Sequence, residues 1–101
     1  MLMVILPVNP AQAQVEFDVT GVATDSAGVG VSGAMVVVLA MPDSVLTEWT
    51  QTSGDGAFTL QVSPGEYILQ VTLIGLKSVR RSFSVTDKNV AVGRVALAVL
   101  A

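Results

Sequence analysis

The chain has 101 residues, 51% of them hydrophobic and 13% charged, with no cysteine and no histidine. Five basic against eight acidic residues give a formal charge of −3. Such a sequence has no disulfide, no imidazole- or thiolate-based nucleophile system and no zinc site of the usual ligand types, and its few scattered cations in an acidic chain argue against a nucleic-acid partner. Residues 1–13 begin with six apolar residues before Pro7, far short of the roughly 20 that cross a bilayer. They end in Ala11-Gln12-Ala13, the small-x-small pattern that signal peptidase prefers. The expectation is a secretory leader over 1–13, without a basic start, and a single domain over 14–101.

From residue 15 onward the pattern is alternation and β-branched runs broken by Gly, Pro, Asp and Ser, with no helical stripe. Val15, Phe17 and Val19 alternate with Glu16, Asp18 and Thr20, which predicts a strand with one wet face. Asp25-Ser26-Ala27-Gly28 reads as a turn in which the Asp side chain bonds its own backbone. Gly33 opens a strand over 34–40, whose Val36-Val37-Val38-Leu39 run suits a central strand buried on both faces. Pro42-Asp43-Ser44 breaks it, and 45–52 forms the next strand, carrying the sole tryptophan, Trp49.

Ser53-Gly54-Asp55-Gly56 reads as a tight hairpin, because Asp-Gly favours a sharp reversal. A short strand over 57–62 follows, with Phe58 and Leu60 on one face. Pro64-Gly65 is the next reversal, with Gly65 expected in the left-handed conformation. Tyr67, Leu69, Val71 and Leu73 hold one face of the strand after it, and Gly75 ends it. Over 79–85, Phe83 and Val85 point inward, with Arg80, Ser82 and Ser84 outward. The apolar phase changes between Val90, Val92 and Val95, Leu97, Val99, which predicts a bulge near Gly93. Seven short strands at about 8–12 residue spacing predict an all-β, antiparallel sandwich of the Greek-key type.

The order of turns resembles a known family. Gly21-Val22-Ala23-Thr24-Asp25 with Gly28, then Val31-Ser32-Gly33-Ala34-Met35-Val36-Val37-Val38, is similar to the start of a carboxypeptidase regulatory-like domain. Thr52-Ser53-Gly54-Asp55-Gly56-Ala57-Phe58-Thr59-Leu60, Pro64-Gly65-Glu66-Tyr67 and Val71-Thr72-Leu73-Ile74-Gly75-Leu76 resemble its later motifs, with Ser53 where Asp is frequent and Leu76 where Tyr is usual. The resemblance implies a transthyretin-like seven-stranded sandwich and a non-catalytic accessory module without a cofactor. Asp43-Ser44-Val45-Leu46 and the final stretch 89–97 resemble the subtype found at the N-terminus of TonB-dependent receptor-like outer-membrane proteins. That subtype implies export to the periplasm or outer membrane of a Gram-negative cell. Its implied partners are neighbouring receptor domains or envelope proteins.

Four residues are candidates for an interaction surface: Trp49, Lys77, Arg80 and Arg81. Trp49 has core or semi-core packing as its default reading, and an exposed ring would mark a docking or carbohydrate-stacking surface. Lys77, Arg80 and Arg81 form the one basic cluster and read first as a solvated strand that resists edge pairing. Arg81 shares the parity of Val79 and Phe83. Either a bulge turns it outward, or it closes one end of the sandwich with its stem packed. Asp25 and Asp55 read as turn formers beside glycine, not as a catalytic acid and base. Low charge and Val-rich edges make self-association through sheet edges an expectation. The alternatives in function are a secreted glycan- or protein-binding sandwich using Trp49 and Tyr67, and an accessory domain of an exported carboxypeptidase.

Overall fold

Buried side chains recur at every second residue over 36–38, 58–62 and 67–71, so two sheets are needed to bury them face to face. The computed structural model describes residues 15–99, and the expected leader over 1–13 lies outside the described residues. Seven strands form: β1 (Phe17–Thr24), β2 (Met35–Ala40), β3 (Val45–Gln51), β4 (Ala57–Val62), β5 (Gly65–Thr72), β6 (Val79–Val85) and β7 (Val90–Ala96). They make a three-stranded sheet in the order β4-β1-β7 and a four-stranded sheet in the order β3-β2-β5-β6. The fold is the expected all-β sandwich of Ig/transthyretin type. One pairing departs from the antiparallel expectation: β7 runs parallel to β1. The short connection 86–89 turns the chain back at the end where β1 begins, so Val90 lands opposite Val19 and both strands run the same way.

The core is built by period-two burial. Val19, Val36, Val38, Leu69, Val71, Val95 and Leu97 are wholly buried, and sequestering each such side chain favours folding by about 1.5–3 kcal/mol. Phe58, Leu60 and Val62 on β4 and Tyr67 and Leu69 on β5 fall inward as their alternation predicts. β2 is central, but it is buried on one face only. Val37 and Leu39 are half-buried and Met35 is exposed, because no second layer covers the outside of that sheet.

Two reversals differ from the sequence reading. The Asp55-Gly56 turn closes tightly, with Gly56 donating to the Ser53 carbonyl at 2.9 Å and Ser53 to that of Ala57 at 2.9 Å. Yet it is not a hairpin within one sheet: it carries the chain from the edge of the four-stranded sheet to the edge of the other. Gly56 has φ +87°, and a Cβ there would strike the carbonyl oxygen of Ala23, so only glycine fits. At Pro64-Gly65 the chain crosses back. Gly65 is the extended first residue of β5, paired with Val85, and takes no left-handed conformation. The corner is held by Tyr67, whose hydroxyl donates to the carbonyl of Ser63, in the manner of the tyrosine corners of other sandwiches. Burial, and after it the negative charge of Glu16, pushes the Tyr67 phenol up from 10.0.

The bulge near Gly93 is present. Thr20 pairs with Ala91 but Gly21 pairs with Gly93, leaving Val92 as the extra residue. Gly93 takes φ +79°, which restores the alternation and sends Val95 and Leu97 into the core.

Candidate functional site

The residues singled out by sequence do not converge. Arg80 and Arg81 are neighbours on β6, so they point to opposite faces of the sheet, and no register shift interrupts the β5–β6 pairing. Arg81 points inward. Its guanidinium donates to the carbonyl of Arg94 at 3.2 Å and, at the long limit of 3.5 Å, to that of Val92. It therefore bridges β6 of one sheet to β7 of the other and closes that flank, the second of the two expected readings. Arg80 points outward, and its Nε donates to Oε1 of Gln70 on β5 at 2.9 Å. Lys77 lies before β6, exposed, its backbone amide bonded to the carbonyl of Ala98 at 2.7 Å.

Trp49 is 57% exposed, which corrects the default expectation of core packing. β3 is an edge strand on which none of the seven residues is buried. Its inward side overhangs the core, so it shows no alternation to read. Trp49 pairs with Val37, Val37 with Gln70, and Gln70 with Arg80. These four side chains form one row across the outer face of the four-stranded sheet, with the indole at one end and the guanidinium at the other. A second row runs through Leu46, Leu39, Ile68 and Ser82. Leu46 is 58% exposed, and Leu39 and Ile68 are half-buried. On this outer face the apolar side chains Trp49, Leu46, Val37 and Leu39 lie on β3 and β2 with Ile68 beside them, while β5 and β6 add Gln70, Arg80 and Ser82, an arrangement that sequence reasoning did not assemble.

Asp25 and Asp55 serve turns. Oδ1 of Asp25 accepts from the amides of Ala27 at 2.9 Å and Val29 at 3.0 Å, the bonding expected of the turn. Asp55 accepts from the Ser53 hydroxyl at 2.6 Å and, more weakly, from the Ala57 amide at 3.4 Å. The Ser53 bond is the main reason its carboxyl lies below the usual 3.8, which leaves it ionised at neutral pH and unsuited to act as a general acid. Asp18 accepts from Gln61 Nε2 at 3.1 Å, and its amide donates to Oδ1 of Asn89 at 2.9 Å. Among the described residues no three His, Cys, Asp or Glu side chains converge as metal ligands. A shallow cleft of about 500 Å³ on the outer face of the three-stranded sheet is lined in part by Thr20, Thr24, Asp55 and Arg94. The Thr24 hydroxyl, buried beneath it, has no hydrogen-bond partner among the described residues.

Thr52 is a structural centre that the sequence motif contained without revealing. Its buried hydroxyl donates to the carbonyl of Val31 and accepts from the amide of Ala34 at 2.9 Å, while its backbone bonds Gly33 and Ala34. It fastens the β1–β2 loop to the end of β3.

Of the five aromatic residues, Trp49 is the exposed one. Phe58 and Tyr67 are buried, Phe17 and Phe83 half-buried, and Tyr67 stacks on Phe83 with ring centroids 5.5 Å apart. A glycan platform using Trp49 and Tyr67 together is not formed.

A model of the carboxypeptidase regulatory-like domain matches residues 18–98, the whole of the sandwich. No curated protein sequence matches the chain. Among solved structures, the TIE protein of Bacillus anthracis matches with a TM-score of 0.72 at 14% identity, over 85% of this chain and 18% of its own. The BcpA major pilin subunit of Bacillus cereus matches at 0.69 and 19%, over 82% and 29%. The 3-chlorocatechol 1,2-dioxygenase of Rhodococcus opacus 1CP matches at 0.68 and 10%, over 93% and 63%. The chain spans less than two thirds of each, and at these identities the likeness is one of fold.

Proposed function

The chain belongs to the carboxypeptidase regulatory-like domain family, and from that premise we propose that it is a non-catalytic interaction module, serving as the periplasmic N-terminal extension of a TonB-dependent receptor-like outer-membrane protein. The observation that carries the interaction reading is the exposed apolar outer face around Trp49, since soluble domains seldom leave such a face without a partner. The non-catalytic reading is supported by Asp25 and Asp55 being held in turns and by the absence, among the described residues, of a cluster of three or more potential metal-ligating side chains. Support for the receptor context comes from sequence: the leader pattern at 1–13, the Asp43-Ser44-Val45-Leu46 step and the 89–97 stretch. The partners in this reading are neighbouring domains of the receptor or other envelope proteins.

Fractionation of the native host with an antibody to the domain tests this. Recovery with the outer membrane or periplasm is expected, and recovery in the cytoplasm would overturn the reading. The reading frame downstream of the Ala101 codon separates the variants: a plug and barrel for the receptor, a zinc peptidase for the accessory-domain alternative.

A further inference from the structure

The free edges of the four-stranded sheet are blunted. On β3 the register slips between Val38 and Leu39, leaving Thr47 without an opposite residue, and Glu48 sits opposite the inward-facing Val38. On β6 one of the inward-parity residues is the charged Arg81, bonded to β7. A bulge and inward-pointing charges are devices that discourage strand addition. The outer face between these edges carries the exposed Trp49 and Leu46, with Arg80 at the opposite end of the Trp49 row.

We propose that two copies of the chain pack through the outer faces of their four-stranded sheets, related by a two-fold axis parallel to the strands between β2 and β5. The partner is named by self-complementarity. The axis places β3 of one copy over β6 of the other, so Trp49 at one end of its row meets Arg80 at the opposite end of the second copy's row, twice over. Arg80 is already held against the face by Gln70, which presents a guanidinium for stacking on an indole. Val37 and Gln70 meet near the axis, and in the next row Leu39 meets Ile68 while Leu46 lies over Ser82. Aligned sheets cross at about 30°. With strands about 4.8 Å apart, the ends of the row lie ~7 Å from the axis and shift by ~4 Å, within the reach of Trp and Arg side chains. This inference rests on the interaction-module reading and names one contact for its face.

Sedimentation velocity of the chain from micromolar to millimolar concentration, with emission of its sole tryptophan recorded in parallel, tests it. A concentration-dependent dimer is expected, with the emission moving to the blue as the dimer forms. Trp49→Glu, a change at an exposed site whose folding is checked by circular dichroism, should stay monomeric. Arg80→Glu should weaken the dimer at least about tenfold, and Arg80→Lys by less. A monomer at every concentration overturns the proposal, and so does a dimer that leaves the emission unmoved or survives Trp49→Glu. Such a failure leaves the module reading to the fractionation test, which does not depend on self-association.

Discussion

The two flanks of the sandwich are closed by different means. Between β3 and β4 the sheets are joined by a tight turn, with Gly56 against the Ala23 carbonyl and the Thr52 hydroxyl spanning the Val31 carbonyl and the Ala34 amide. Between β6 and β7 a looser connection joins them, and the contacts there are one long side chain, Arg81, reaching backbone carbonyls of the opposite sheet, and a backbone bond from Lys77 to Ala98 at one end. The first closure is buried and made of backbone and a short hydroxyl. The second is exposed to water and costs side-chain entropy to hold. A buried polar contact loses the full desolvation cost when one partner is removed, whereas an exposed one is replaced by water.

Mutations on the two flanks should therefore differ in size. Gly56→Ala is expected to cost most, since it adds left-handed strain to a steric collision with the Ala23 carbonyl; about 3 kcal/mol or outright loss of folding should appear in urea unfolding. Thr52→Val keeps the shape but strands a buried carbonyl and a buried amide, and about 2–3 kcal/mol is expected in the same measurement. Arg81→Met keeps an apolar stem and loses only the exposed bonds, so about 1 kcal/mol is expected, with faster amide exchange in β7 than in β4. A larger loss for Arg81→Met than for Thr52→Val would reverse the comparison.

The smallest effect is electrostatic. The carboxyl of Asp55 is held below its ordinary value by Ser53 in the folded state. Its contribution is therefore present above the ordinary carboxylate range and is lost as pH falls through the depressed pKa. Ser53→Ala should move the Asp55 titration, followed by NMR, up towards 3.8. It should also flatten the acid limb of the stability curve.

These contrasts track what the sequence could express. Period-two patterning placed the inward residues of β4 and β5 and the phase change at Gly93, because burial and bulges act directly on parity. The parity of Arg81 left two readings open, a bulge turning it outward or closure of the sandwich end, and the unbroken β5–β6 register selects the second. Sheet membership was not legible, since Ser53-Gly54-Asp55-Gly56 makes the same local bonds whether its strands pair or part. Nor was the direction of β7, because parallel and antiparallel strands share one side-chain period. The exposure of Trp49 is not legible either, because an edge strand with an overhanging inner side has no alternation to mark which residues are covered. The family resemblance extended over the sandwich, but the row joining Trp49 to Arg80 exists only through the pairing of four strands that are scattered in sequence.

The outer face of the four-stranded sheet is bare in the single chain and ready for a partner. Acrylamide quenching of Trp49 at the lowest workable concentration tests it most directly, because the chain has one tryptophan and the signal is unmixed. Red-shifted emission is expected, with quenching well above that of a buried indole and below that of free indole, as befits a ring 57% exposed. Blue, protected emission from the dilute monomer would contradict it.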